Sequence, residues 1–228
     1  MEISLTPMEF ARRAKRLYSE SEAVVDGELR LTYGQFFERC DRWSKALQGM
    51  GVKKGDRVAY IAPNTHSHLE AYYAVPQIGA VLVPINYRLK SEEFEYILNH
   101  CGAKVLCVHP DFYDAIDGIR DQIKTVEAFI GLEDALPNWI DYEAQIHQHE
   151  ASFAPVEIDE LDLITINYTS GTTARPKGVM ITHRNAYINI MGTLAHHHLT
   201  PQDRYLWTLP MFHANGWTFT WINTARGM

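Results

Sequence analysis

From Leu163 to Thr182 the chain carries a β-like run, a polar loop and a second β-like run. The loop holds the hydroxyls of Thr169, Ser170, Thr172 and Thr173, the glycines Gly171 and Gly178, then Arg175, Pro176 and Lys177. Polyphosphate recognition wants that set: hydroxyls and backbone amides to donate to oxygens, glycine for close approach, and a cation to offset charge. A Walker loop places Gly-Lys-Ser/Thr at the start of a helix. Here Lys177-Gly178 leads into the β-branched, strand-like stretch Val179 to Thr182, so the phosphate grip is built differently. A solvated polar hairpin loop would share much of this composition.

A second segment, Leu209-Pro210-Met211-Phe212-His213-Ala214-Asn215-Gly216-Trp217, sets one histidine among aromatic and apolar residues. Packing alone would account for Phe212, Trp217, Phe219 and Trp221, with Trp217 and Trp221 on one helical face. Two other groups hold metal-ligand types. His196-His197-His198 follows an apparent helix from about Asn185 to Leu194 and reads as a solvated helix end. His100, Cys101, Cys107 and His109 lack Cys-x-x-Cys spacing, and no zinc site is read there.

These segments need a frame. Asp26-Gly27, flanked by Ala23-Val24-Val25 and Glu28-Leu29-Arg30-Leu31, predicts a hairpin. Thr32 with Gln35 makes a capping box, and Phe36, Cys40, Trp43, Leu47 and Met50 continue at helical spacing until Gly51. Apolar runs at Val58 to Ala62 and Ala80 to Val83 bracket a helical stretch around Leu69, Tyr72, Tyr73 and Val75. Ser91 is expected to cap the next helix, with Glu92 and Glu93 in its first turn and Gly102 ending it before Val105-Leu106-Cys107-Val108. A further helix over Tyr113 to Ile123 precedes the run Val126 to Ile130. Repeated βαβ units predict an α/β fold with a mainly parallel sheet covered by helices on both faces. The polar, acidic stretch from about His147 to Asp162 reads as a linker or long loop. The expected division is therefore a first α/β subdomain over residues 1–155 and the start of a second, incomplete one over 156–228 that carries the loop.

Composition narrows the function classes. With 228 residues, 21 Lys+Arg against 28 Asp+Glu, and 46% hydrophobic positions, the chain reads as globular and acidic. No basic stripe suits a nucleic-acid grip. The 3 cysteines are too sparse for a disulfide framework, the N-terminus has no secretory signal, and no apolar run approaches the ~18 residues of a membrane span. A cytoplasmic location is expected.

Tyr168 to Val179 resembles the signature loop of the adenylate-forming acyl-CoA synthetases, relatives of luciferases and peptide-synthetase adenylation domains. The likeness extends over Leu31 to Leu89, through Gly55-Asp56-Arg57-Val58, Pro63-Asn64, Gly79-Ala80-Val81 and Pro84-Ile85-Asn86, and the segment around His213 resembles the family's substrate pocket. Ala174 stands where that family most often has glycine; together with the Phe-His-x-Asn-Gly-Trp segment it is similar to the fatty and branched-chain acyl-activating branch.

The resemblance implies a layered N-terminal domain and ATP-dependent activation of a carboxylic acid to acyl-AMP, then acyl-CoA. Thr169, Ser170, Gly171, Thr172, Thr173, Lys177 and Gly178 would hold the ATP phosphates, and Thr172 would contribute to Mg²⁺ binding. Lys177 and His213 would be catalytic, His213 bordering the acyl carboxylate as a gate, with Asn215, Gly216 and Trp217 in the substrate pocket. Coenzyme A is the implied acceptor, and a homo-oligomer is left open. The family's adenine and ribose motifs and its C-terminal domain are absent from this text, so the 228 residues read as an N-terminal piece expected to be inactive alone. The alternatives are a short protein that binds nucleotide or a partner without catalysis, and an adenylating enzyme with a different acceptor.

Overall fold

The computed structural model describes residues 3–169 and 175–228. Its elements in chain order are α1 (Met8–Leu17), β1 (Glu22–Asp26), β2 (Leu29–Thr32), α2 (Tyr33–Gly49), β3 (Arg57–Ile61), α3 (His66–Ala74), β4 (Val81–Ile85), α4 (Ser91–Cys101) and β5 (Ala103–Val108). There follow α5 (Tyr113–Asp117), β6 (Ala128–Gly131), β7 (Ile140–Asp141), α6 (Tyr142–Gln148), β8 (Leu163–Thr169), β9 (Lys177–Thr182), α7 (His183–His196), α8 (Ala214–Trp217) and α9 (Phe219–Arg226). Among the described residues, no helix is long and apolar enough to cross a membrane.

β3, β4 and β5 are apolar at almost every position because both of their faces are covered, which is the pattern of a buried parallel sheet. The sheet runs β7-β6-β5-β3-β4-β8-β9, parallel except for β9, which returns antiparallel to β8. Successive residues serve opposite faces. Val58 and Tyr60 join the core built with α1, α2, α3, α6, α7 and α9, while Ala59 and Ile61 join the one built with α4 and α5. The expected α/β class, mainly parallel with helices on both faces, is thus the observed one.

Several local expectations shift. The hairpin forms, but Asp26 pairs with Leu29, so the turn residues are Gly27-Glu28. Only Gly27 takes a positive φ, +56°, as a type II′ turn requires. The Thr32–Gln35 capping box is present. Ser91 is the first helical residue rather than the cap: Glu93 accepts from the Lys90 amide at 3.0 Å, and the Ser91 hydroxyl donates to Ala115. The helix expected over Tyr113 to Ile123 breaks after Asp117 and resumes as one tight turn at Arg120–Gln122.

The acidic stretch after His147 is a strap tied to the first half of the fold. Gln48 and Ala154 exchange two hydrogen bonds of 2.8 and 2.9 Å, and Lys54 donates to the Glu157 carbonyl and pairs with Asp162 at 2.6 Å. On both sides of residue 155 the chain belongs to one sheet, since β8 adds directly to β4.

One partly buried charge cluster, centred on Glu70, locks α2, α3, α6 and the hairpin together. The Arg39 guanidinium donates to Glu70 at 2.6 Å and to Glu143 at 2.5 Å, and the Tyr142 hydroxyl donates to Glu70. Glu70 is fully buried, and that burial pushes its carboxyl up against the lowering pull of Arg39. His66 bridges the remaining acids, its Nδ1 2.8 Å from Asp26 and its Nε2 3.5 Å from Glu143. Burial alone would lower the imidazole, but Glu143, Glu70 and Asp26 outweigh it and Arg39 opposes them only in part, so its pKa rises from 6.5 to about 8.

A raised folded-state pKa means that the charged ring stabilises the fold below pH 6.5, and that this contribution is lost as pH rises through about 8. The loss should be about 1 to 2 kcal/mol, seen as a falling Tm over that window. His66→Gln should flatten this part of the profile. An unchanged pH dependence in the variant would contradict the assignment.

Candidate functional site

β8 and β9 are the sides of a hairpin whose ends Thr169 and Lys177 face each other in register. Thr169 and Lys177 are exposed, and Gly178 is half-buried opposite Tyr168. Ser170, Gly171, Thr172 and Thr173, with Ala174, lie outside the described residues. Of the expected phosphate-binding set, the structure therefore places Thr169, Lys177 and Gly178, and brings them to one edge of the sheet.

The segment around His213 reaches that edge through a buried polar knot. The Asn215 amide nitrogen donates to Thr165 Oγ1 at 3.0 Å, Thr165 Oγ1 donates to Asn167 Oδ1 at 3.0 Å, and Asn167 Nδ2 donates to Asn215 Oδ1 at 2.9 Å. All three residues are buried, so the closed ring of hydrogen bonds is what makes them tolerable there. Thr165 and Asn167 sit on β8, only a few residues before the loop. Sequence reasoning missed both; their i, i+2 spacing on one face of an otherwise apolar strand was the available signal.

Ala214 to Thr218 all have positive φ, between 47° and 62°, forming a left-handed turn. L-residues avoid that region at about 1 to 2 kcal/mol each, so the Asn215 knot and the contacts of its neighbours must hold the turn in place. Gly216 is required for a second reason: a Cβ there would lie 2.5 Å from the Trp207 ring. The left-handed turn also corrects the expectation that Trp217 and Trp221 share a helical face. Trp217 is 60% exposed beside the turn, whereas Trp221 is fully buried on α9 with its indole N–H donating to the Tyr72 carbonyl at 3.1 Å. Phe219 stacks on Tyr205 with ring centroids 4.4 Å apart.

Between β9, α7 and the left-handed turn lies a cleft of 380 Å³. Val179, Met180 and Ile181 of β9 and Ala214, Trp217 and Thr218 of the turn line it. Val179, Met180 and Trp217 are exposed large apolar side chains, so this cleft offers an apolar lining. Asn215 borders it, but its amide is committed to the knot. His213, exposed, immediately precedes the turn, and its carbonyl accepts from the Gly216 amide at 3.0 Å.

A family model described as AMP-binding enzyme matches residues 10–228. The chain belongs to the AMP-binding enzyme family. The peroxisomal benzoate–CoA ligase of Arabidopsis thaliana is 38% identical over 99% of this chain and 42% of its own length. The long-chain-fatty-acid–CoA ligase of Thermus thermophilus is 37% identical over 100% of this chain and 43% of its own. The solved structure of a Mycobacterium tuberculosis fatty acyl CoA synthetase superposes with a TM-score of 0.88 at 30% identity, covering 97% of this chain and 43% of that one. The chain thus spans less than half the length of these relatives.

Among the described residues, no group of three or more His, Cys, Asp or Glu could hold a metal. His196, His197 and His198 are exposed at the end of α7, and His109 caps a short turn by accepting from the Asp111 amide. Mg²⁺ at a polyphosphate takes most of its ligands from phosphate oxygens and water, with a few protein oxygens. A loop rich in hydroxyls fits that donor set.

Proposed function

We propose that this chain, in a protein of its relatives' full length, forms an acyl adenylate from ATP and a fatty or branched carboxylic acid, and passes the acyl group to coenzyme A. The observation that carries the reading is the adjacency of two surfaces. Lys177 and Gly178 open β9 at the loop, and the next three residues of the same strand line the apolar cleft together with Trp217. The edge proposed to face the phosphates and an apolar cleft thus meet within one strand, and His213 directly precedes Ala214 of the cleft lining.

In the proposed first step a carboxylate oxygen bonds to the α-phosphorus and the bond to the pyrophosphate oxygen breaks. Two anions have to approach, so the negative charge of the phosphates must be offset. Lys177 supplies a cation toward the β and γ groups, with donors from Thr169, Ser170, Gly171, Thr172 and Thr173. Mg²⁺, when bound, would share that charge, with Thr172 among its ligands. In the second step the thiol attacks the acyl carbonyl and AMP leaves. The alkyl part of the acid would lie in the Trp217 cleft, with its carboxylate end toward His213.

Carboxylate-dependent exchange of labelled pyrophosphate into ATP tests the first step. A protein of the relatives' full length should show exchange with medium or long straight and branched acids, while residues 1–228 alone should show none, since the resemblance implies that the adenine and ribose contacts come from other residues. His213→Ala should raise KM for the acid and leave KM for ATP unchanged. Absence of exchange across acids of every length would overturn the reading.

A further inference from the structure

Both flanks of the phosphate loop land on the same face of α4. On the entering side, the Tyr168 hydroxyl lies 2.6 Å from His100 Nδ1, and the two rings meet edge to face at 5.8 Å. On the leaving side, the Arg175 guanidinium sits 5.3 Å above the Tyr96 ring. Tyr96 and His100 are one turn apart on α4, and their rings stack at 5.2 Å, so the two flanks rest on one continuous surface. Glu92, Glu93 and Glu95 border the same 690 Å³ cleft as Arg175, placing negative charge around the guanidinium.

The register of β8 and β9 makes room for this arrangement. Gly178 pairs with Tyr168, and a Cβ on Gly178 would lie 2.9 Å from the Ile166 side chain and 3.3 Å from the Tyr168 ring. Without that Cβ the Tyr168 ring lies across β9's first residues and reaches α4. Burial raises the Tyr168 hydroxyl well above the usual phenol range, so it stays protonated and available to His100.

We propose that Tyr96 and His100 are positioning residues for the phosphate loop, a seat on α4 that fixes where the loop leaves β8 and enters β9. The proposal rests on the ATP-dependent reading given above. Neither side chain touches substrate; each acts through Tyr168 or Arg175. With Tyr168 and Arg175 no longer held, ATP would have to fix the loop's two flanks itself, which raises KM for ATP and leaves the acid site alone.

The test compares Tyr96→Ala, His100→Ala and Tyr96→Phe. Hydrogen–deuterium exchange on the purified chain should show amides in 169–177 exchanging faster by about three- to tenfold in both alanine variants, the range that one cation–π contact or hydrogen bond supports. Amides of β3, β4 and β5 should be unchanged, and Tyr96→Phe, which keeps the ring, should match the wild type. In the full-length protein the alanine variants should raise KM for ATP by a similar factor without changing KM for the acid. Unchanged exchange in 169–177, an equal rise across the core strands, or a Tyr96→Phe effect as large as that of alanine would overturn the seat. A wild-type protein without any carboxylate-dependent use of ATP would defeat the functional reading instead, and the exchange comparison would still decide the seat.

Discussion

Lys177→Ala in a protein of the relatives' full length is expected to weaken the use of ATP by about 1.5 to 3 kcal/mol, or roughly 10- to 150-fold in KM, because in the proposed reading it deletes the cation that faces pyrophosphate. The cleft proposed for the acid is lined by residues further along β9, so KM for the acid should hold steady. Lys177→Arg, which keeps the charge, should recover part of the loss. Steady-state kinetics with each substrate varied in turn would check this. Equal KM values for ATP in Lys177→Ala and wild type, with unchanged kcat, would remove the lysine from the phosphate site.

The largest effect on stability is expected from Arg39→Met. Glu70 is fully buried and depends on Arg39 for its counter-charge, while Glu143 is held down to about 2 by His66 and Arg39 despite its partial burial. Removing the guanidinium leaves a buried carboxylate with only the Tyr142 hydroxyl and His66 nearby. Breaking such a pair from one side costs about 3 to 5 kcal/mol, more than the intact pair contributes, because the remaining charge is stranded. Glu70→Gln in the same background should return a substantial part of that loss by removing the stranded charge. Urea denaturation of the two single variants and the double variant measures the coupling. A loss under about 1 kcal/mol for Arg39→Met would show that Glu70 is not left as a stranded buried charge, whether by taking up a proton or by meeting solvent.

The parts of the fold legible in the sequence are those whose cause is local. The Thr32–Gln35 capping box and the continuous apolar runs of β3, β4 and β5 carry their own geometry within a few residues. The Lys177-Gly178-Val179 stretch is likewise a strand where a Walker lysine would begin a helix. What stayed hidden depends on distant partners. The left-handed turn at Ala214 to Thr218 is held by Asn215 reaching Thr165 and Asn167, 50 and 48 residues away in the chain, and no periodicity announces it. Helical spacing put Trp217 and Trp221 together because the pattern assumes a right-handed helix through Trp217 and Thr218, which both have positive φ. The seat of the loop on α4 was hidden for the same reason, since Tyr168 and His100 are 68 residues apart.

The same distinction applies to the site. Residue types in the loop and in the His213 segment suggested phosphate and acid recognition separately. β9 is both the exit of the loop and part of the cleft lining, which is what joins the two in the proposed function.

The most direct test of that account follows a single oxygen. When the carboxylate attacks the α-phosphorus, one of its oxygens becomes the bridge to AMP and stays with AMP after the thiol takes the acyl group. Incubating the full-length protein with ATP, Mg²⁺, coenzyme A and an oxygen-18-labelled carboxylic acid, then weighing the products by mass spectrometry, should therefore give AMP carrying one heavy oxygen and pyrophosphate carrying none. Unlabelled AMP, or heavy oxygen in inorganic phosphate, would contradict acyl-adenylate formation at this site.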